Sequence, residues 1–469
     1  MWKSMAGWAS SQVRSECEKL RHDRGLPFSE LLPASQVEQA LAEEKIALRE
    51  ASVYQPLVTL WTFLSQVLSP DHSCREAVAR LRAFLTADGQ PPCAPETGPY
   101  CKARQRLPEN VCARLVRETG GQLHNKITNQ SLLGGRPVKL VDGSTVSMPD
   151  TPANQAEYPQ SRSQKRGLGF PIARIVGLIS LSCGTVLDLA MGPYKGKHTG
   201  ETALFRQLWE SLFVGDIVVG DRYFASFWDL ALLKLGGADS VFRQHQLRLT
   251  REQRIERLGA SDWLLRLPKP QRPTWLDQES YARIPDELIV REVTVRVKVR
   301  GFRVRELTLV TTLCNAQAIS AAELAEVYRR RWHAELDLRT IKVTMQMDVL
   351  RCKTPEMVRK EIWMHLLAYN LIRGVMAEAA LRHGLHPREV SFKGAWQTLS
   401  AYRSLVERAS SAELLSLYDD LLSAIASHRV GHRPNRYEPR AIKRRPKPHK
   451  LLTIPRDQAK RLLAAGFTD

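Results

Sequence analysis

Hydrophobic residues in the first part of the chain recur every three or four positions, which is the spacing of amphipathic helices. Groups of this kind begin near Val37, Leu57 and Ala77. A proline-rich break over residues 91–99 separates them from a basic segment that continues the helical pattern. The hydrophobic pattern therefore predicts a helical N-terminal region over residues 1–130.

From residue 131 the pattern changes to short apolar runs bounded by turn-forming residues, which indicates β-strands. One predicted strand ends in Asp142, and a later one ends at Asp221. Between them, two apolar runs flank a tight turn at residues 182–184, which is typical of an antiparallel hairpin. The predicted elements are a strand at 138–141, hairpin strands at 172–181 and 185–191, a helix at 201–212, a strand at 217–219, a helix at 224–235 and a strand at 240–242.

The order strand, hairpin, helix, strand, helix, strand is that of a ribonuclease-H-like core. The predicted fold class is therefore α/β, a mixed sheet with helices, and residues 131–244 form the first part of this core. A β-rich insertion over residues 245–313 interrupts it. Within the insertion, residues 293–299 alternate valine with mostly cationic residues, so one strand face is apolar and the other is basic.

A helix that carries Glu335 is predicted after the insertion. Ser320 and Glu323 have the spacing of a capping box, which places the start of this helix. The helix completes the core over residues 314–350. Beyond it, a Pro at the first helical position opens a helical C-terminal region. The remaining predicted segments are helical residues 351–427 and a basic tail at 428–469, extended from Arg429 to Lys450.

The net charge of the chain indicates which classes of binding partner to expect. The chain has 69 Lys and Arg against 49 Asp and Glu, a formal net charge of +20. This excess favours a polyanionic partner, either nucleic acid or an anionic membrane surface. The longest apolar stretch is interrupted by His365, Asn370 and Arg373 and is too short to span a bilayer. We therefore expect a nucleic-acid partner and no membrane partner.

The cysteines indicate a reducing compartment. All 8 are scattered singly, with no CxxC pair and no zinc-finger spacing. The first residues lead into a polar helix rather than the apolar run of a signal peptide. Both observations predict a cytoplasmic protein.

Three carboxylates are candidate metal ligands. Asp142 and Asp221 follow neighbouring strands of the predicted sheet, and Glu335 lies on a covering helix, so the three can converge. Close carboxylates repel one another, and a divalent cation such as Mg²⁺ relieves this repulsion. Two such ions would support phosphodiester cleavage. Taken singly, each Asp is more often a turn former or helix cap, and a Glu beside Arg is more often a surface ion pair.

The helix around Glu335 has a second pattern. Tyr328, Arg331, Glu335 and Lys342 fall within about a 60° sector of one helix face at roughly 100° per residue. A carboxylate is thus flanked by a phenol and two cations, which suits a metal site beside phosphate-binding groups. The rise of roughly 1.5 Å per residue would place Lys342 about 10 Å from Glu335, too far to reach the metals.

These residues resemble the signature of the transposases of insertion sequence family 4. That signature is Y-(2)-R-(3)-E-(6)-K, and it matches Tyr328, Arg331, Glu335 and Lys342. The segments around Asp142 and Asp221 also look like the two Asp regions of these enzymes. The resemblance extends over roughly residues 50–455.

The resemblance implies a DD(E) transposase, which binds terminal inverted repeats of double-stranded DNA, cuts the element ends and joins the 3′ ends to target DNA. Asp142, Asp221 and Glu335 would be catalytic and bind two Mg²⁺ or Mn²⁺ ions. The DNA-binding residues would be Tyr328, Arg331, Lys342 and Trp332, together with the helical region before residue 131. The protein would act as a homodimer on the paired ends, associated with DNA in the bacterial cytoplasm.

Two alternatives remain open at this point: a nuclease of the same fold that cuts without joining, and a catalytically inactive DNA-binding relative. The presence of all three carboxylates argues against the second. Some family members also form a hairpin intermediate with an aromatic side chain that holds a flipped base. Trp263, Trp275 and Phe302 are candidates for this side chain by residue type alone, and each is more often a core residue.

Overall fold

The computed structural model describes residues 32–44, 52–87, 89–127, 132–163, 165–197, 199–245, 250–296, 306–406, 409, 411–431 and 452–465. These residues form one large mixed sheet with helices packed around it, as the α/β class predicts.

Helices precede the sheet, as the spacing of apolar residues predicts. Helix α2 begins at Pro56, where a proline ring fixes a helical φ and its missing N–H has no helical partner to lose. The helices of this region are α1 (Ala34–Glu43), α2 (Pro56–Leu68), α3 (Cys74–Ala87), α4 (Gly98–Arg106) and α5 (Glu109–Ile127).

The described strands form one sheet in the order β4-β3-β2-β5-β6-β10-β9-β8-β7, with β1 paired to β2. Strands β2, β5 and β6 are parallel, and β3 and β4 form the predicted antiparallel hairpin beside β2. The strands are β1 (Leu132–Leu133), β2 (Arg136–Ser147), β3 (Ile172–Ser180), β4 (Val186–Pro193), β5 (Ile217–Gly220), β6 (Asp239–Arg243), β7 (Arg254–Gly259), β8 (Asp262–Pro268), β9 (Glu287–Arg296) and β10 (Glu306–Thr311).

Both faces of the central strands are covered. Leu140 and Val219 point into one hydrophobic core, and their neighbours Val141 and Val218 point into a second core on the opposite face. Successive side chains of a strand alternate between the two faces. A strand covered on both faces is therefore largely apolar, as β5 is over residues 217–219, and this explains the continuous apolar runs in the sequence.

Strand β2 is longer than the sequence predicts, and Asp142 lies inside it rather than after it. Parallel pairing with β5 stops at Leu140 and Val219, but antiparallel pairing with β3 continues and places Asp142 opposite Gly177. The continuous buried run of β2 covers residues 138–141, and most of the residues after it are half-exposed. The prediction was wrong because the half-exposed second part has no apolar run to mark it as a strand.

Two of the remaining helices are shorter than the sequence predicts. The helix predicted at 201–212 ends at Arg206, and a short 3₁₀ turn follows. The helix predicted at 224–235 begins at Phe227, because the Ser226 side chain caps it by accepting from the Asp229 N–H. These helices are α6 (Pro152–Glu157), α7 (Glu201–Arg206), α8 (Phe227–Leu235), α9 (Gln278–Arg283), α10 (Ala321–Arg329), α11 (Trp332–Arg339), α12 (Pro355–Arg382), α13 (Phe392–Val406), α14 (Ser411–Ser427) and α15 (Arg456–Ala464).

The helix predicted to carry the whole Tyr328–Lys342 pattern is interrupted twice. The predicted capping box at Ser320 is present and starts α10. The backbone amides of Arg331, His333 and Ala334 bond three residues back instead of four, which separates α10 from α11. A π-helical turn, Thr340–Thr344, then follows α11. The prediction of one straight helix was wrong because the segment contains neither Gly nor Pro, the usual marks of a break.

Strand β10 returns from the β-rich segment and pairs with β6, so the strands after residue 245 extend the central sheet. Residues 297–305, which include Lys298 of the predicted basic strand face, lie outside the described residues, as does the predicted extended tail beyond Gly431. Among the described helices, none is long and apolar enough to cross a membrane.

Candidate active site

Asp142 lies where β2 passes the end of β5. Its side chain is 17% exposed, and its Oδ1 accepts the Gly143 N–H at 2.9 Å. Burial raises the pKa of Asp142 to about 6, since an ionised carboxylate loses water there. The Arg331 guanidinium opposes this shift, and the charges of Glu335 and Glu201 add to it.

Arg331 lies between two of the predicted ligands. Its Nη2 donates to Glu335 Oε1 at 2.7 Å, and its Nη1 lies 3.8 Å from Asp142 Oδ2. Strand β2 and helix α11 therefore bring together carboxylates that are almost two hundred positions apart in the sequence. The guanidinium partly offsets the repulsion between them.

Asp221 follows β5 at the same level of the sheet as Asp142, two residues beyond the Leu140–Val219 pair. Its Oδ1 accepts the Arg222 N–H at 2.7 Å and so caps the short 3₁₀ turn after the strand. Its charge contributes to the raised pKa of Tyr328, which burial raises to about 12. Asp221 thus lies on the Tyr328 side of the site.

A cleft of about 230 Å³ opens beside Asp142 and Glu335. Lys342 also lines it, and its Nζ donates to Ser144 Oγ at 3.0 Å. Lys342 and Glu335 thus border one cleft, and the expected separation of about 10 Å between them stays a prediction. The residues lining the cleft are Asp142, Gly143, Ser144, Glu335, Leu338, Arg339, Lys342 and Val343.

The two aromatic residues of the predicted DNA-binding set have different surroundings. Trp332 is 55% exposed, so its ring is free to contact a partner. Tyr328 is only 8% exposed and packs with its ring 5.8 Å from the Arg331 guanidinium. Of the hairpin candidates, Trp275 stacks on Arg206 at 3.5 Å and Trp263 lies beside Arg254 at 5.0 Å. Phe302 lies outside the described residues.

Two polar residues beside Asp142 were missed in the sequence. Ser144 belongs to the Asp-Gly-Ser segment, and its position two residues beyond Asp142 could have drawn attention to it. Glu201 begins α7, and its carboxylate packs against Gly143 so closely that a Cβ there would lie 2.7 Å from Glu201 Cδ. No local sequence signal marks Glu201, because this contact depends on how α7 packs over β2.

The donor set fits a divalent cation in its chemistry. Carboxylate oxygens are the ligands that Mg²⁺ and Mn²⁺ prefer, and burial, with a smaller contribution from the charges of Glu335 and Glu201, raises the pKa of Asp142. Asp142 and Glu335 share one cleft, whereas Asp221 is not among the cleft-lining residues. Within the described part of the chain, no three His, Cys, Asp or Glu side chains are grouped closely enough to hold an ion.

Comparisons with known proteins agree with the resemblance. Residues 133–371, just over half of the chain, match the family described as "Transposase DDE domain". The transposase InsG of insertion sequence element IS4 from Escherichia coli is 27% identical over 394 residues, which are 82% of this chain and 85% of InsG. The transposase of insertion sequence element IS421, also from Escherichia coli, is 39% identical over 57 residues, 12% of this chain and 15% of that one.

A solved structure of the piggyBac transposase synaptic complex with hairpin DNA overlaps this chain with a TM-score of 0.40 and 9% identity. The overlap covers 81% of this chain and 73% of that one. The match over residues 133–371 shows that the chain belongs to the DDE transposases, among the relatives of the insertion sequence family 4 enzymes.

Proposed function

We propose that the protein is a transposase that binds the terminal inverted repeats of an insertion sequence, cleaves the element ends and joins the 3′ ends to target DNA. The observation that carries this proposal is the convergence of Asp142 and Glu335 around Arg331, in the cleft that Lys342 also lines. The site thus combines acidic groups for metal with cationic groups for phosphate.

The strand order supports a ribonuclease-H-like core as the scaffold for this chemistry. The β3–β4 hairpin lies beside β2, and the parallel strands β5 and β6 follow on its other side. Strands β2 and β5 bring Asp142 and Asp221 to one level, and α11 lies over β2 with Glu335. We propose that these three carboxylates form the catalytic set.

DDE transposases generally use divalent metal ions, and Mg²⁺ or Mn²⁺ would bind here through Asp142, Asp221 and Glu335. When bound, such ions activate the attacking water or 3′ hydroxyl and stabilise the leaving oxygen of the phosphodiester. Asp142 must be ionised to act as a ligand. Its raised pKa therefore predicts that metal binding weakens as the pH falls below about 6.

The remaining residues of the site position DNA. Arg331 can make a planar two-point contact to a phosphate, and Lys342 a point contact on the same side of the cleft. Trp332 has an exposed ring that can contact a base. Tyr328 is buried, and its ring packs against the Arg331 guanidinium. We propose that the helices before residue 131 bind the inverted repeat and that two copies hold two ends.

The direct test is cleavage of a duplex that carries the element end, with Mg²⁺ present. Substitution of Asp142, Asp221 or Glu335 by Ala should abolish cleavage and leave end binding nearly unchanged, since phosphate contacts and metal chemistry are separate. Asp286→Ala, at a fully exposed carboxylate of the β-rich segment, is the control and should behave as wild type. Full cleavage by one of the three variants would remove that residue from the catalytic set.

Joining is tested separately, with precleaved ends and a supercoiled plasmid. Wild-type protein should insert the ends and relax or linearise the plasmid. Cleavage without any joining would instead indicate a nuclease of the same fold, and binding without cleavage would indicate an inactive relative.

A further inference from the structure

A buried group of charges holds the helix that carries Glu335. The Asp337 side chain is 1% exposed, and its Oδ1 accepts from Arg373 at 2.5 Å and from the Tyr369 hydroxyl at 3.0 Å. Its Oδ2 accepts from Arg388 at 2.6 Å. Both guanidinium groups are themselves nearly buried. Asp337 therefore joins α11 to α12 and to the chain just beyond α12.

Arg388 continues this connection to the sheet. Its Nε donates to the Leu181 carbonyl at 3.0 Å, and its Nη2 donates to the Ser180 carbonyl at 2.7 Å. Ser180 ends β3, the strand that pairs with β2 and places Gly177 opposite Asp142. A continuous set of bonds therefore leads from the strand of Asp142, through Arg388 and Asp337, to the helix of Glu335.

Helix α11 needs such an anchor. It has 8 residues, follows a break in the backbone pattern and runs into a π-helical turn. A helix of this length has little stability of its own, so its position depends on tertiary contacts. Asp337 is two residues after Glu335, about 200° around the helix. Glu335 consequently faces the cleft while Asp337 faces the interior.

We propose that Asp337 is a positioning residue that sets the place of Glu335 relative to Asp142. This inference rests on the proposed function, because it assigns Asp337 a part in metal binding and DNA cleavage. The competing account is a buried ion pair that affects stability alone, since buried pairs often do no more than compensate their own desolvation. The two accounts differ in what they predict for the metal.

The test compares Asp337→Asn with Asp216→Asn. Asp216 forms an equally buried ion pair with Lys139 at 2.6 Å, but it precedes β5 at the end of the sheet away from the cleft. Both variants should lower the melting temperature. Only Asp337→Asn should weaken Mn²⁺ binding without DNA, measured by electron paramagnetic resonance, and slow single-turnover cleavage, each by about 10–100-fold. End-DNA affinity should stay within about twofold for both, because phosphate contacts are separate from metal binding.

Arg388→Lys is a second variant for the case in which Asp337→Asn does not fold. It keeps a positive charge beside Asp337 and loses the bonds to the Ser180 and Leu181 carbonyls. We expect Mn²⁺ affinity and the cleavage rate to decrease in this variant as well, but by less than in Asp337→Asn. Wild-type Mn²⁺ affinity and cleavage in these variants, or an equal loss in Asp216→Asn, would overturn the inference while leaving the proposed function intact. Absence of cleavage by the wild-type protein would refute the proposed function and the inference with it.

Discussion

Replacing Asp142 by Asn should stabilise the metal-free protein while it abolishes cleavage. Burial raises the Asp142 pKa from 3.8 to about 6, so the folded protein holds an unfavourable charge at neutral pH. One pKa unit corresponds to about 1.4 kcal/mol, which gives roughly 3 kcal/mol for the full shift. Because the side chain retains some contact with water, we expect a gain of about 2 kcal/mol and a melting temperature higher by a few °C at pH 7.5.

The pH dependence follows from the direction of the shift. Between pH 4 and pH 6 the folded state binds more protons at Asp142 than the unfolded state does, so stability falls as the pH rises through this range. The fall is nearly complete about one pH unit above the folded-state pKa of about 6. The advantage of Asp142→Asn should therefore be full at pH 7.5 and should shrink as the pH approaches 4.

Thermal unfolding by calorimetry, without metal and over this pH range, measures the effect. Millimolar Mg²⁺ should raise the melting temperature of the wild type more than that of Asp142→Asn, because only the wild type has the charged ligand. Asp216→Asn, which breaks the Lys139 pair, is the control and should be destabilised. If Asp142→Asn were no more stable than the wild type at pH 7.5, the account of Asp142 as an unfavourably buried charge would be refuted.

Three further predictions concern acid stability, the cationic side of the cleft and the tail. Burial lowers the pKa of His365 to about 3 and that of His333 to about 4. The free energy of unfolding should therefore fall as the pH drops below about 6.5, where only the unfolded state gains these protons. His365→Leu should lessen this fall, as measured by urea titrations at several pH values. Arg331→Lys keeps the charge but loses the planar fork, so joining should decrease far more than non-specific DNA binding, and equal losses in the two assays would contradict the phosphate contact. A plot of log DNA affinity against log salt concentration should have a negative slope of about 0.9 per phosphate contact. Replacing the Lys and Arg residues at 433–450 by Gln should make this slope shallower, and an unchanged slope would exclude the tail from DNA binding. Substitution is preferable to truncation there, because Arg456 of α15 pairs with Asp150 at 2.7 Å.

The sequence predicts the sheet well where both faces are buried. Residues around Val218 are apolar at every position because two cores cover them, so the pattern alone locates β5 and the Asp221 that follows. The second half of β2 cannot be located in this way, because Gly143 and Ser144 are partly exposed and do not belong to an apolar run. Asp142 can nevertheless be selected as a candidate from the sequence, because the apolar run stops beside it.

The candidate site was less predictable than the sheet. Helical periodicity identifies Arg331 and Glu335 as neighbours, and the structure places them 2.7 Å apart. It does not give the break before Trp332 or the position of Lys342 beside Ser144, because these depend on tertiary contacts of a short helix. Glu201 is missed for the same reason, as its contact with Gly143 exists only once α7 packs over β2.

The contacts of Asp337 with Arg373 and Arg388 determine when, during synthesis of the chain, the helix of Glu335 can be fixed in place. The ribosome makes Asp142 and Asp221 early and Glu335 much later, but Arg373 and Arg388 emerge later still. A nascent chain that ends before Arg388 lacks one of the two guanidinium groups that donate to Asp337. If Asp337 positions Glu335 as proposed, chains that end before Arg388 should therefore not cut DNA. The coding order would thus delay DNA cleavage until the protein is nearly complete.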